Sequence, residues 1–257
     1  MTSYILDILM ADSTQTLDHV TIVLHRPKLP ENIGAAARAA WNMGIQRLFL
    51  VDPENCDRNR ILKMATRSAS HVIENMEVHS DLVTALNRFH YVVGTTARTG
   101  GQRRELKTPR EMAGELVPVG VKNQIALLFG PEDRGLTNAE LQYCHVLVTI
   151  PTAGFSSLNL AQAVAILCYE LLMASKEPPN RFVSRLASRG ELEEMYEHLQ
   201  ETLIKINFIS TGDPAPAMRN VRRFLSRVSL RSQDVRLIRG ICRQVEWYTQ
   251  RRTGRQS

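Results

Sequence analysis

Residues 146 to 173 constrain the fold of this chain more than any other stretch. Val146-Leu147-Val148-Thr149-Ile150-Pro151 is a β-branched run closed by a proline, which predicts a buried strand over 146–150. A short polar loop later, Ser156-Ser157-Leu158-Asn159 opens a segment in which Leu160, Val164, Ile166, Leu167, Leu171 and Leu172 leave almost no polar side. That pattern predicts a helix buried against two layers rather than a surface helix. Strand, loop and buried helix in immediate succession are the pattern of an α/β sheet, in which ligands bind beyond the C-terminal ends of the strands. Serine is a favoured helix cap, so Ser156 or Ser157 is expected to cap this helix, the alternative being a direct part in the chemistry.

Two earlier stretches repeat the arrangement. Val20 to Leu24 reads as a strand, the loop Arg26-Pro27-Lys28-Leu29-Pro30 follows, and Asn32 to Met43 reads as a helix stopped by Gly44. Between Glu31 and Arg47 the only charge is Arg38, set among five alanines and Trp41. A lone guanidinium on a close-packing helix is costly to bury, so it either pairs with a carboxylate or faces an open cleft. The second stretch is the apolar strand Ile125 to Phe129, followed by Gly130-Pro131-Glu132-Asp133-Arg134-Gly135-Leu136 and a Thr137-x-x-Glu140 capping box. No Gly-Lys-Ser/Thr follows the glycine-rich loop and no Gly-x-Gly-x-x-Gly occurs, which excludes a P-loop and a classical dinucleotide site. Leu158, where a nucleophile elbow needs glycine, excludes the serine-hydrolase reading of Ser156.

Between these stretches, Arg47 to Val51 reads as a strand, Ile61 to Ala65 as part of a helix, Val72 to Val78 as a short strand, Ser80 to Asn87 as a helix and His90 to Gly94 as a strand. That last strand opens into Thr95-Thr96-Ala97-Arg98-Thr99-Gly100-Gly101-Gln102-Arg103-Arg104, a loop whose hydroxyls, amides and arginines suit a polar ligand or a phosphate backbone. His71 and His79 have no metal-ligand spacing, and no metal site is expected.

Taken in order, the stretches around Asn32, Glu132 and Ser157 resemble the three motifs of the SPOUT superfamily of S-adenosylmethionine-dependent RNA methyltransferases. The likeness is strongest to the branch that methylates the ribose 2′-oxygen of the pyrimidine at position 32 in the tRNA anticodon loop. It covers residues 20 to 175, and the tail from Leu192 through Arg239-Gly240-Ile241 resembles that branch's helical extension. The resemblance implies an α/β fold with a mostly parallel sheet and a C-terminal trefoil knot, followed by a small all-helical domain. It also implies a homodimer, to which the apolar 158–173 helix is a plausible contact. It assigns Asn32, Arg38, Glu132 and Ser157 to catalysis. Thr95, Thr96, Ala97, Gly130, Ile150, Ser156, Ser157 and Leu158 would touch S-adenosylmethionine, and Asn159 would help to hold the loops. Arg98, Arg103 and Arg104 would lie on the RNA side. The branch often carries a second arginine soon after the first, whereas here Thr99 to Gln102 intervene, so which arginine of the 98–104 loop serves stays open. A methylase of another tRNA site or of rRNA, and a catalytically silent RNA-binding dimer, are the alternatives.

Charge divides the chain. From residue 176 onward there are 16 Lys and Arg against 9 Asp and Glu, and in residues 1–175 there are 16 against 17. The whole positive excess therefore sits in the tail, where 11 basic residues face 2 acidic ones after Met218, Arg222 and Arg223 among them. Lys and Arg displace the counterions of a polyanion, so tRNA is the partner expected of this region. The expected division is a methyltransferase domain over 1–175, a linker over 176–190 around Pro178-Pro179, and a basic helical RNA-binding extension over 191–257, with helices near 191–205, 217–229 and 232–251. Four scattered cysteines, no basic-then-apolar leader and no apolar run near the roughly 20 residues of a membrane span point to a cytoplasmic protein.

Overall fold

The computed structural model describes residues 17–97, 106–154, 157–177, 183–226 and 228–253. The chain divides at residue 184 into two compact units. The first is built on seven strands, all paired in parallel: β1 Val20–His25, β2 Arg47–Val51, β3 Glu77–His79, β4 Tyr91–Thr95, β5 Leu106–Lys107, β6 Ile125–Phe129 and β7 Val146–Val148. Their order across the sheet is β3-β2-β1-β6-β4-β7-β5. The helices between them are α1 Pro30–Asn42, α2 Arg58–Ala65, α3 Ser70–Glu74, α4 Leu82–Leu86, α5 Pro109–Gly120, α6 Asn138–Leu141 and α7 Leu160–Ser175.

Both faces of the sheet are covered, as continuous apolar strands require. On one face Val23, Phe49, Val51, Val92, Ala126, Leu128 and Leu147 form a cluster with residues of α4 and α6. Ile22, Leu24, Leu48, Leu50, Val93 and Leu127 are also buried, and strand alternation turns them to the other face. There α1 packs on α2 and α7, and α7 also packs on α5. The α1–α2 contact requires Gly34, because a Cβ there would run into the carbonyl of Ile61.

The sheet order places the ligand-binding end. β1 continues outward to β2 and β3, while the chain returns through α4 to β4 on the other side of β6. The C-terminal ends of β1, β6, β4 and β7 thus converge, and the loops after them carry the three stretches singled out in the sequence.

Several expectations are corrected. The 72–78 strand shrinks to Glu77–His79, because adjacent Val72 and Ile73 are both buried on α3, which an alternating strand would not allow. The strand expected to reach residue 150 ends at Val148. The last apolar helix is capped by Asn159, whose side chain accepts from the backbone N–H of Ala161 and Gln162, so Ser157 is not its cap. Ser156 lies outside the described residues.

The second unit consists of α8 Arg189–Lys205, α9 Ala215–Leu225 and α10 Ser232–Thr253. Leu192, Met195 and Tyr196 of α8 pack with Ile209, Met218 and Val235 in a small core. No helix among the described residues is long and apolar enough to cross a membrane.

Candidate functional site

The loop after β6 leaves the sheet at Gly130, where a Cβ would collide with the backbone of Gly135 and Leu136, so only glycine lets the chain double back so tightly. Gly135 closes the turn at φ +65°, in the left-handed region that favours glycine. The fold-back presents Glu132 to the start of α1. That helix has no cap of its own, since its N-cap residue is Leu29. Instead the Glu132 carboxylate accepts from the backbone N–H of Lys28 (3.0 Å) and Leu29 (3.3 Å) and from Asn32 Nδ2 (2.8 Å). A carboxylate beside the positive end of a helix is favourably placed.

Asn32 carries the connection onward. Its Oδ1 accepts from Asn159 Nδ2 at 2.9 Å, while Asn159 Oδ1 caps α7. Asn32, 100 residues from Glu132 and 127 from Asn159, thereby ties the loops after β1, β6 and β7 into one frame. Asn32 is buried, so its satisfied amide fixes geometry rather than exchanging with water. Lys28 adds an outer clasp: its Nζ lies 2.9 Å from Asp133 Oδ2, and each raises or lowers the other's pKa toward the charged form.

Beside this frame lies a cavity of about 420 Å³, lined by Thr95, Thr96, Ala97, the run Phe129 to Leu136, Val148, Ile150, Ser157, Leu158, Leu160 and Ala163. The volume is that of a site for a nucleoside-sized ligand. Its floor is fixed by Thr95, whose hydroxyl donates to Leu128 O at 3.1 Å, and by Thr96, whose N–H donates to Val148 O at 2.9 Å. The lining combines aliphatic side chains with hydroxyls and the loop that turns at two glycines, a donor set suited to a ligand with an aromatic base and polar groups.

Thr95, Thr96, Ala97, Gly130, Glu132, Ile150, Ser157 and Leu158 therefore come together around one cavity, with Asn32 bound to its wall. Arg38 does not line it. It is exposed on α1, and among the described residues no hydrogen bond or ion pair holds it. Ser156, Arg98, Arg103 and Arg104 lie outside the described residues. Asp133, Arg134 and Ala163 also line the cavity and were not singled out. The first two sit in the quoted motif but look like ordinary surface charges until the turn is known. Among the described residues no cluster of His, Cys, Asp or Glu could hold a metal ion.

In the second unit, Arg222 is drawn into the structure, 2.7 Å from Glu193 and stacked 4.3 Å over the Tyr196 ring. Arg223 is exposed, as are Arg219, Arg236 and Arg243.

Comparison with known proteins follows the same division. Residues 19–169 match the SpoU rRNA Methylase family, and residues 190–257 match the C-terminal domain of the tRNA methyltransferase TrmJ. The tRNA (cytidine/uridine-2′-O-)-methyltransferase TrmJ of Citrobacter koseri is 36% identical over 237 residues, covering 90% of this chain and 97% of that protein. The tRNA (cytidine/uridine/adenosine-2′-O-)-methyltransferase TrmJ of Pseudomonas aeruginosa is 36% identical over 239 residues, 88% and 93% of the two chains. Among solved structures, TrmJ from Z. mobilis superposes with a TM-score of 0.75 at 32% identity, covering 88% of this chain and 98% of that one.

Proposed function

The chain belongs to the SpoU methylase family, and from that premise we propose that it transfers a methyl group from S-adenosylmethionine to the ribose 2′-oxygen of a cytidine or uridine in tRNA, at position 32 of the anticodon loop. The observation that carries the reading is the Glu132–Asn32–Asn159 frame, which holds three distant loops around a nucleoside-sized cavity.

S-adenosylmethionine, when bound, supplies a methyl group already activated on a sulfonium sulfur, so the protein's work is alignment and charge stabilisation. Thr95, Thr96, Ala97, Gly130, Ile150 and Leu158 would hold it, with hydroxyls and backbone amides for its polar groups and aliphatic chains for its base. Ser157 at the cavity wall orients the acceptor hydroxyl. Arg38 stabilises the negative charge that develops on the 2′-oxygen. A guanidinium with a pKa above about 12 is a poor base, so the proton leaves to water or an RNA phosphate. Asn32 and Glu132 act through the loops they hold.

The proposal extends to the parts around the site. The domain covers 1–175 with a linker to 190, and the 191–257 extension binds tRNA through its exposed arginines, Arg223 in particular, with Arg98, Arg103 and Arg104 adding contacts near the site. The proposal includes the trefoil knot, in support of which α7 packs on both α1 and α5. It works in the cytoplasm as a homodimer, and in support of the dimer Tyr169 and Met173 stand exposed on the largely apolar α7.

The test is nucleoside mass spectrometry of unmodified tRNA transcripts incubated with the protein and methyl-labelled S-adenosylmethionine. Label in 2′-O-methylcytidine or 2′-O-methyluridine mapped to position 32 is expected; label only in rRNA, or at another tRNA site, would replace this substrate with that one, and none anywhere would favour a silent binding protein.

A further inference from the structure

The loop Gly130–Leu136 supplies seven consecutive residues to the cavity wall, so its position sets the shape of the site. It is held at two points. At the front, Glu132 clasps the backbone of Lys28 and Leu29. At the back, Thr137 and Glu140 form a capping box, in which Glu140 Oε2 accepts from Thr137 N–H at 2.6 Å. The other oxygen of the same carboxylate, Oε1, lies 3.0 Å from His25 Nε2.

His25 is the last residue of β1, 6% exposed, and touches no part of the cavity. It stands three residues before Lys28, so the strand end that receives the front clasp also bears the rear one. Arg26, which follows it, is at φ +51° and ion-paired to Asp52 at 2.8 Å, so the chain between the two clasps is itself held. Glu140, Arg26 and Asp52 are the charged groups that bear on the imidazole, and burial, the largest influence, favours its neutral form. A neutral ring with the proton on Nε2 donates to Glu140 and leaves a single charge shared by the pair.

We propose that His25, through Glu140, is a positioning residue for the cofactor loop: it sets the affinity for S-adenosylmethionine without contacting it. The inference rests on the function proposed above. Losing the Nε2–H donor frees one oxygen of Glu140, lets the Thr137 turn relax and loosens the rear of the loop, while the groups assigned to methyl transfer stay where they are. The loss therefore falls on cofactor binding and not on turnover at saturation.

The experiment is calorimetric titration of S-adenosylmethionine into the full-length protein, wild type, His25→Ala and His25→Gln, with kcat measured at saturating cofactor and tRNA and folding checked by circular dichroism. The alanine variant is expected to weaken Kd about tenfold, the scale of one hydrogen bond to a charged group, with kcat within about twofold of wild type. The glutamine variant, which returns an N–H donor at similar reach, is expected to recover most of the affinity. Wild-type affinity in His25→Ala, a loss that appears in kcat, or no rescue by glutamine would overturn the proposal. Should the wild-type protein itself bind no S-adenosylmethionine, the methyltransferase reading falls and this one with it; binding to wild type with an unchanged His25→Ala overturns this one alone.

Discussion

Glu132 accepts from three donors with two oxygens, and that makes its charge more valuable than its shape. Replacing it by alanine leaves the N–H groups of Lys28 and Leu29 and the Asn32 amide without their acceptor. A hydrogen bond to a charged group contributes about 1.5–3 kcal/mol. Glu132→Ala is therefore expected to weaken S-adenosylmethionine binding roughly ten- to hundredfold, measured by calorimetry, with Glu132→Gln in between. Arg38 gives the opposite signature, because it lies outside the cavity lining. Arg38→Lys keeps the charge and loses the planar fork, so cofactor Kd should stay within about twofold while kcat drops by about a hundredfold, the loss seen when one donor to a developing oxyanion is removed. Near-normal turnover would refute the guanidinium's role. At this scale the sequence singled out Asn32, Glu132, Ser157 and Asn159, yet it left Asn32 and Asn159 as separate polar residues. Their 2.9 Å contact spans 127 positions and exists only once the sheet has closed.

Among the elements, the strands were the most legible, because a run such as Ile125-Ala126-Leu127-Leu128-Phe129 is buried on both faces and has no other stable use. Leu127→Ala at its centre should cost about 2–5 kcal/mol, read from chemical denaturation. Caps were less legible. Three polar residues, Ser156, Ser157 and Asn159, stand within one turn of the start of α7, and each can cap a helix. The tertiary structure puts Asn159 at the N-cap, where Asn32 also reaches it. Asn159→Ala should lower stability by about 1 kcal/mol for the cap and weaken cofactor binding as well, whereas Asn159→Ser should restore the stability and not the affinity, because serine reaches the helix N–H groups but not Asn32. The edge strand β5 was missed altogether. Its two residues, Leu106 and Lys107, are too short to show any period, and they become a strand only through pairing with β7.

For the molecule as a whole, charge and pH give the clearest expectations. The exposed arginines of α9 and α10 lie on a unit whose core already uses Arg222 and Arg189 in ion pairs with Glu193. Binding of tRNA through the free ones should weaken steeply with salt, with a log–log slope of about −0.7 to −0.9 per phosphate contacted. Reversing Arg223 and Arg236 together to glutamate should reduce that slope by about two without changing S-adenosylmethionine affinity. His25 and Glu140 both contribute to the loss of stability in acid. Burial holds the His25 pKa below its usual 6.5, so in the folded state the ring resists protonation that the unfolded chain accepts, and stability falls as pH drops below about 6.5. Burial pushes the Glu140 carboxyl up, but the Thr137 and His25 donors together outweigh it and hold the pKa below the usual 4.5, so its contribution is present above 4.5 and lost as pH falls through the folded value. Both have the same sign. The melting temperature should decline from pH 7 to 4, and His25→Gln should flatten the upper part of that decline.

The sequence by itself determined the α/β class, the positions of the main strands along the chain and the three polar stretches at their ends, because burial and turn chemistry are local demands that each segment must meet with its own residues. The concentration of positive charge in the tail was likewise a matter of counting. The tertiary structure alone decided that Glu132 caps a helix belonging to a segment a hundred residues earlier, that Asn159 rather than a serine caps α7, that Arg222 is spent on Glu193 and Tyr196 while Arg223 is not, and that His25 meets Glu140. The Glu132, His25 and Asn159–Asn32 contacts each join a donor and an acceptor about a hundred residues or more apart, and it is this reach to Asn32 that sets Asn159 apart from the serines. Such contacts have no local pattern to betray them, since their free energy arises only when the parallel strands bring their C-terminal ends together or, for Arg222, when the helices of the second unit pack.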